Sequence, residues 1–155
     1  MLHKGRLLIV ALGLICASVA STQAVDLCFS TSGGGGITVG KEFEFPPVNQ
    51  CRPFNGFEVG AGTDGATTGT VCTAVTGGQL LYHYSFHNWF ALGGGSYFES
   101  GTCRFTLSRG PSTASLPASG NCRGTVIPAS GDPSGFVLSA NMFSCNENVP
   151  EDVGP

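Results

Sequence analysis

Apolar and polar residues alternate with period two along most of this chain. No segment beyond the first two dozen residues sustains a 3.6-residue apolar period, so the body reads as strands rather than helices. Leu80, Tyr82, Tyr84 and Phe86 form one set, and His83, Ser85 and His87 form the interleaved set. Cys103, Phe105 and Leu107 alternate with Thr102, Arg104, Thr106 and Ser108. Phe43 and Phe45 alternate with Glu42 and Glu44, while Phe136, Leu138, Ala140 and Met142 alternate with Val137, Ser139 and Asn141. Aromatic and β-branched residues suit such half-buried pleated surfaces. This patterning predicts strands near 26–31, 37–45, 55–59, 69–76, 79–90, 97–108, 120–127 and 135–144. The fold class is therefore all-β: about eight short antiparallel strands in a meander, closed into a barrel or folded into a two-sheet sandwich.

Glycines punctuate the runs. Gly33–Gly36, Gly60, Gly62, Gly77–Gly78, Gly93–Gly95, Gly110 and Gly131 fall where the chain must turn. Gly33–Gly36 lacks the following Lys-Ser/Thr of a phosphate-cradling loop, so it reads as a flexible turn. Pro46–Pro47 and Pro53 are expected to break the sheet near Cys51. Closure is attractive because few lysines are present to guard an open edge.

The first 24 residues have the layout of a secretory signal: Lys4 and Arg6, then the apolar run Leu7–Ala17, then small residues at Ser18/Ala20 and Thr22/Ala24. We take residues 1–24 as the leader, 25–145 as one domain, and the acidic segment 146–155 as a disordered tail. The apolar run is shorter than the ~20 residues a spanning helix needs, so the chain is expected to be secreted or periplasmic rather than membrane-spanning. Setting aside Cys16, six cysteines remain: Cys28, Cys51, Cys72, Cys103, Cys122 and Cys145. In an exported chain these read as three disulfides, and none forms a CxxC metal or redox motif. Two pairings are attractive. Neighbours pair in order (28–51, 72–103, 122–145), or the termini close (28–145) around 51–72 and 103–122. The likeness of Ser100-Gly-Thr-Cys-Arg to Ser119-Gly-Asn-Cys-Arg puts Cys103 and Cys122 at equivalent strand positions. They would face each other if Gly110–Leu116 is a hairpin loop.

Composition narrows function more than it names it. The chain has 155 residues, 11% of them charged, with 24 glycines and a net charge of −3. Seven Lys+Arg cannot build a large basic face, so nucleic acid is not an expected partner. His83 and His87 would stand ~13 Å apart on one strand face, too far to share a metal at ~2.1 Å Zn–N distances. No metal and no cofactor is expected. Ser85 between the two histidines suggests a hydrolase, but neighbours on one strand face run parallel instead of converging, and no G-x-S-x-G elbow is present. Glu42, Glu44 and Glu99 read as solvated strand residues rather than a carboxylate pair. A cluster of His83, Arg104 and Arg123 on adjacent strands would suit a carboxylate or phosphate. The aromatics Tyr82, Tyr84, Phe86, Trp89, Phe90, Tyr97 and Phe98 would mainly fill a small barrel, whose interior has room for side chains or one small ligand.

The leading expectation is an exported, non-catalytic binding module for a small apolar ligand, a glycan or a protein surface. The first alternative is a small secreted enzyme using His83 or His87 with Arg104 or Ser85. The second is a structural envelope or matrix component.

Overall fold

A computed structural model describes residues 23–32, 36–59, 63–74, 78–90 and 96–145. The expected leader and acidic tail lie outside the described residues, apart from exposed Gln23 and Ala24. Eight antiparallel strands follow one another around a closed barrel. They are β1 (Val25–Thr31), β2 (Ile37–Phe43), β3 (Cys51–Val59), β4 (Thr63–Ala74), β5 (Gln79–Phe90), β6 (Ser96–Thr106), β7 (Ala118–Pro128) and β8 (Ser134–Ser144). β8 returns to pair with β1 from Leu27↔Ser144 to Thr31↔Ala140, so the sheet has no free edge at that seam.

The disulfides follow the second of the two sequence pairings. Cys51–Cys72 and Cys103–Cys122 each join residues directly opposite one another on neighbouring strands. Cys28–Cys145 joins β1 to the residue just after β8, across the closing seam. The Cys103–Cys122 bridge faces inward and is buried.

One expectation is corrected: Pro53 does not end the sheet but sits inside β3, opposite Thr70 of β4. The β2–β3 ladder covers only Ile37–Val39 against Phe57–Val59. At Pro53 the strand therefore has edge character, where a missing N–H is tolerated. Pro46 and Pro47 do leave the sheet, and they fold across one barrel end. Thr73 holds them there, donating its hydroxyl to the Pro47 carbonyl at 2.5 Å.

β1 and β2 are joined through a bulge. Between the pairs Val25↔Phe43 and Leu27↔Gly40, β2 carries one residue more than β1. The bulge puts Glu42 in the left-handed region at φ 48°. Asp26 stabilises this turn, accepting the Glu42 N–H and the Lys41 ammonium, each at 3.0 Å. These two contacts hold its carboxyl below the usual aspartate range, the Glu42 N–H foremost.

The barrel interior has two halves. At the Pro46 end, Leu27, Phe43, Phe45, Phe54, Val71, Leu80, Phe105, Ala118 and Met142 form a dry apolar core. Phe54 lies at its centre, with ring centroids 5.4 Å from Phe29, 5.8 Å from Phe43 and 4.9 Å from Tyr82. Gly40 makes room for it, since a Cβ there would lie 2.2 Å from the Phe54 ring. Toward the opposite end the inward residues become Thr, Tyr and Glu.

Candidate functional site

The two-residue period that builds each strand also decides which side chains enter the second half of the barrel. Counting inward positions along β6 from Cys103 brings Glu99 and Tyr97 to the interior. The same count brings Tyr82 and Tyr84 inward on β5, and Thr67 on β4. With Phe29, Thr31, Thr38, Glu58 and the Cys103–Cys122 bridge, these residues enclose a cavity of about 80 Å³. It lies toward the end at which β1, β3, β5 and β7 finish. A drug-sized ligand normally occupies ~300–1,000 Å³, so this space suits a few waters or one small chemical group.

An aromatic stack forms part of the wall. Tyr82 stacks on Phe29 with centroids 4.4 Å apart, and Tyr84 stacks on Tyr82 at 5.1 Å. Tyr84 donates its phenol hydrogen to Glu99 Oε1 at 2.5 Å. The expectation that Glu99 is a solvated strand residue is therefore corrected. It faces inward and is partly buried, and burial raises its pKa above the ordinary glutamate value, offset in part by the Tyr84 hydrogen bond. Burial likewise pushes the Tyr82 and Tyr84 phenols well above the ordinary tyrosine value, so both stay protonated.

Two hydroxyls in this cavity are both buried and unsatisfied. Thr67 and Tyr82 are each 2% exposed, and among the described residues neither Thr67 Oγ1 nor Tyr82 Oη meets hydrogen-bond geometry with a partner. Thr67 lies close enough to Tyr82 to moderate the rise in the phenol's pKa without reaching hydrogen-bond geometry. A buried hydroxyl without a partner costs ~1–3 kcal/mol, so its retention calls for an explanation.

Glu99 gives a pH prediction with a definite sign. Its folded pKa lies above its unfolded one, so its contribution to stability is complete below the ordinary glutamate value. That contribution is lost as pH rises through the raised folded value. Asp26 acts in the opposite sense, its contribution being lost as pH falls through its lowered folded value. Urea denaturation from pH 3 to 8 is expected to show Glu99→Gln gaining on the wild type as pH rises. A constant difference between the two would contradict the burial of this carboxyl.

The outer wall holds the remaining sequence candidates. His83 is exposed, and its Nδ1 lies 2.9 Å from Thr102 Oγ1. Thr102 is opposite Arg123 on β7, while Arg104 is one row further along, between Leu81 and Asn121. Arg104 and Arg123 thus stand diagonally across β6 and β7, where they line a groove with Gln79, Thr102, Thr106 and Asn121. No acidic side chain lines that groove among the described residues. Two guanidinium groups so placed offer planar donors to an oxyanion. Ser85 lies opposite Ser100 and Thr68, two residues along the same strand from His83. His87 has its backbone in β5 opposite Phe98 and Ala66, and its side chain lies outside the described residues.

Among the described residues the outward face mixes polar side chains with exposed Phe98, Ile127 and Val137, whereas a membrane barrel presents a continuous apolar band. Arg104, Thr106, Asn121, Arg123, Ser139 and Asn141 point outward and are exposed. Among the described residues no helix is long and apolar enough to cross a membrane. Three disulfides are compatible with an extracellular or periplasmic location.

Inward parity was the signal that could have found Glu99 from sequence, while Tyr97 stands among the aromatics expected to fill the barrel. Glu58 falls in the 55–59 run on the side opposite Phe57 and Val59, and Thr67 precedes the run that starts at residue 69, so neither carries that signal. Compared with protein-family profiles, with curated proteins and with solved structures, the chain matches none.

Proposed function

We propose that this protein is an exported, non-catalytic binding module that holds one small ligand in the polar half of its barrel. The observation that carries the reading is the pair of buried, unpaired hydroxyls, Thr67 and Tyr82, lining a cavity. A barrel that served only as a scaffold would be more stable with valine and phenylalanine at these positions. A ligand or ordered water that bonds to them accounts for their retention. The dry core and three disulfides supply the rigid frame that keeps such a site preformed. The sequence suggested a small apolar ligand, a glycan or a protein surface; the lining favours a small molecule with an apolar body and a hydrogen-bonding end.

A second reading is favoured by the Arg104–Arg123 groove, which suits a sulfated or carboxylated glycan on the outer wall. One thermal-shift panel separates the two, using small amines, alcohols and acids together with a heparin oligosaccharide. On the cavity reading, small molecules raise the melting temperature of the wild type. Thr67→Val then loses that response while the free protein becomes as stable or up to ~1 kcal/mol more stable. On the groove reading, only heparin acts, and Arg104→Ala/Arg123→Ala abolishes the effect. A flat response to every small molecule would overturn the cavity reading.

A further inference from the structure

The cavity's lining also indicates the charge of its ligand. Two carboxylate side chains, Glu58 and Glu99, line the space, together with the phenols of Tyr82, Tyr84 and Tyr97. Among the described residues no lysine, arginine or histidine lines it. The proton of Tyr84 is already committed to Glu99 Oε1. What the walls offer an incoming group is therefore mainly acceptor oxygens and electron-rich rings. Glu58 is placed there by the backbone: Gly36 leaves the room its carboxylate occupies, since a Cβ on Gly36 would lie 2.2 Å from Glu58 Oε1.

We infer that the site takes a small organic cation, an alkylammonium or trimethylammonium group seated between Glu99, Glu58 and the tyrosine wall. This rests on the cavity reading above. The physical reasons are three. A carboxylate withdrawn from water gains most from a positive partner brought into the same low-dielectric space. Aromatic rings attract cations, and clusters of them are a recurring site for quaternary ammonium groups. An anion would meet two carboxylates, and a neutral apolar group would bring no charge to balance them. The cavity's size suits the cationic head of such a molecule, with any tail passing out through the barrel end.

Titration calorimetry of the full domain with four probes tests the inference. The probes are ethylammonium, tetramethylammonium, choline, and 3,3-dimethylbutan-1-ol, which has the shape of choline without its charge. At least one cation is expected to bind, with choline at least tenfold tighter than its neutral isostere. Glu99→Gln, which keeps the shape and removes the charge, is expected to weaken the cation at least tenfold and leave the neutral probe unchanged. If the neutral isostere binds as tightly as choline, the charge inference falls and the cavity reading stands. If none of the four binds, both fall. Should Glu99→Gln fail to fold, the comparison of choline with its isostere in the wild type still decides.

Discussion

Removing the Cys28–Cys145 bridge is expected to destabilise the domain by about 5 kcal/mol. Its two residues are 117 apart in sequence, so the bridge closes almost the whole domain into one loop. Cross-linking a longer loop restricts the unfolded chain more: about 5 kcal/mol here, against about 3 kcal/mol for loops like those closed by Cys51–Cys72 and Cys103–Cys122. Those two pairs are only 21 and 19 apart. The long bridge also reinforces the one ladder that local hairpins cannot form, between β1 and β8. A domain of this size is stable by roughly 5–15 kcal/mol, so Cys28→Ala/Cys145→Ala should be near its unfolding midpoint or well short of its former stability. Urea melts of the three double variants measure this. Equal losses for all three would contradict the assignment of Cys28–Cys145 as the seam of the barrel.

Phe54→Ala is expected to cost about 3–5 kcal/mol, the range for truncating a buried phenylalanine. The ring is 1% exposed and touches three other aromatic rings from the centre of the dry half. On the β4 side the strand that carries it is hydrogen-bonded into the wall from Cys51 to Phe57, which limits how far the structure can collapse into the space left behind. Phe54 does not line the cavity, so a small ligand should still bind Phe54→Ala at temperatures where the variant is folded. Glu99→Gln is the reverse case: it removes a pH-dependent part of the wild type's stability, and what it is expected to lose is affinity for a cation. Together the two variants separate the half of the barrel that holds the fold from the half that is free to do something else.

Most of the architecture could be read from alternation alone, because each strand has a wet face and a dry face. Leu80, Tyr82 and Tyr84 against His83 and Ser85 is a pattern that only a half-buried strand explains, and the structure places both sets as the pattern requires. The hairpins followed from the glycine clusters. Closure was harder to read, because β1–β8 pairing depends on residues far apart in sequence, and a barrel and a sandwich share the same alternation. The bulge that carries Glu42 into the left-handed region had no glycine to announce it; Asp26, sixteen residues earlier, satisfies the Glu42 N–H. Pro53 was misread for a related reason. Proline is excluded from a fully paired strand, and only the three-dimensional register reveals that β3 lacks its β2 neighbour at that point.

The site was less legible than the fold, and Glu99 shows why. Its charge argued for solvent, while its spacing from Cys103 and Phe105 argued for the interior. The spacing was right, because backbone pairing fixes which way a side chain points before solvation can influence it. The cost is met locally: Tyr84 bonds the carboxyl, and burial raises its pKa. A residue whose chemistry conflicts with its position in an otherwise consistent pattern is a candidate for function. Thr67 and Tyr82 belong to the same group, and none of the three was singled out for function by composition or motif.

The most direct measurement is a nuclear magnetic resonance titration of the oxidised domain that follows the Thr67 methyl, the Tyr82 and Tyr84 rings and the Glu99 side-chain carboxyl. Adding a small ligand selected by thermal shift is predicted to move these inward signals together along one saturable curve, while outward His83 and Asn141 stay in place. Saturable shifts confined to the outer wall, with the four inward residues unmoved, would contradict the account.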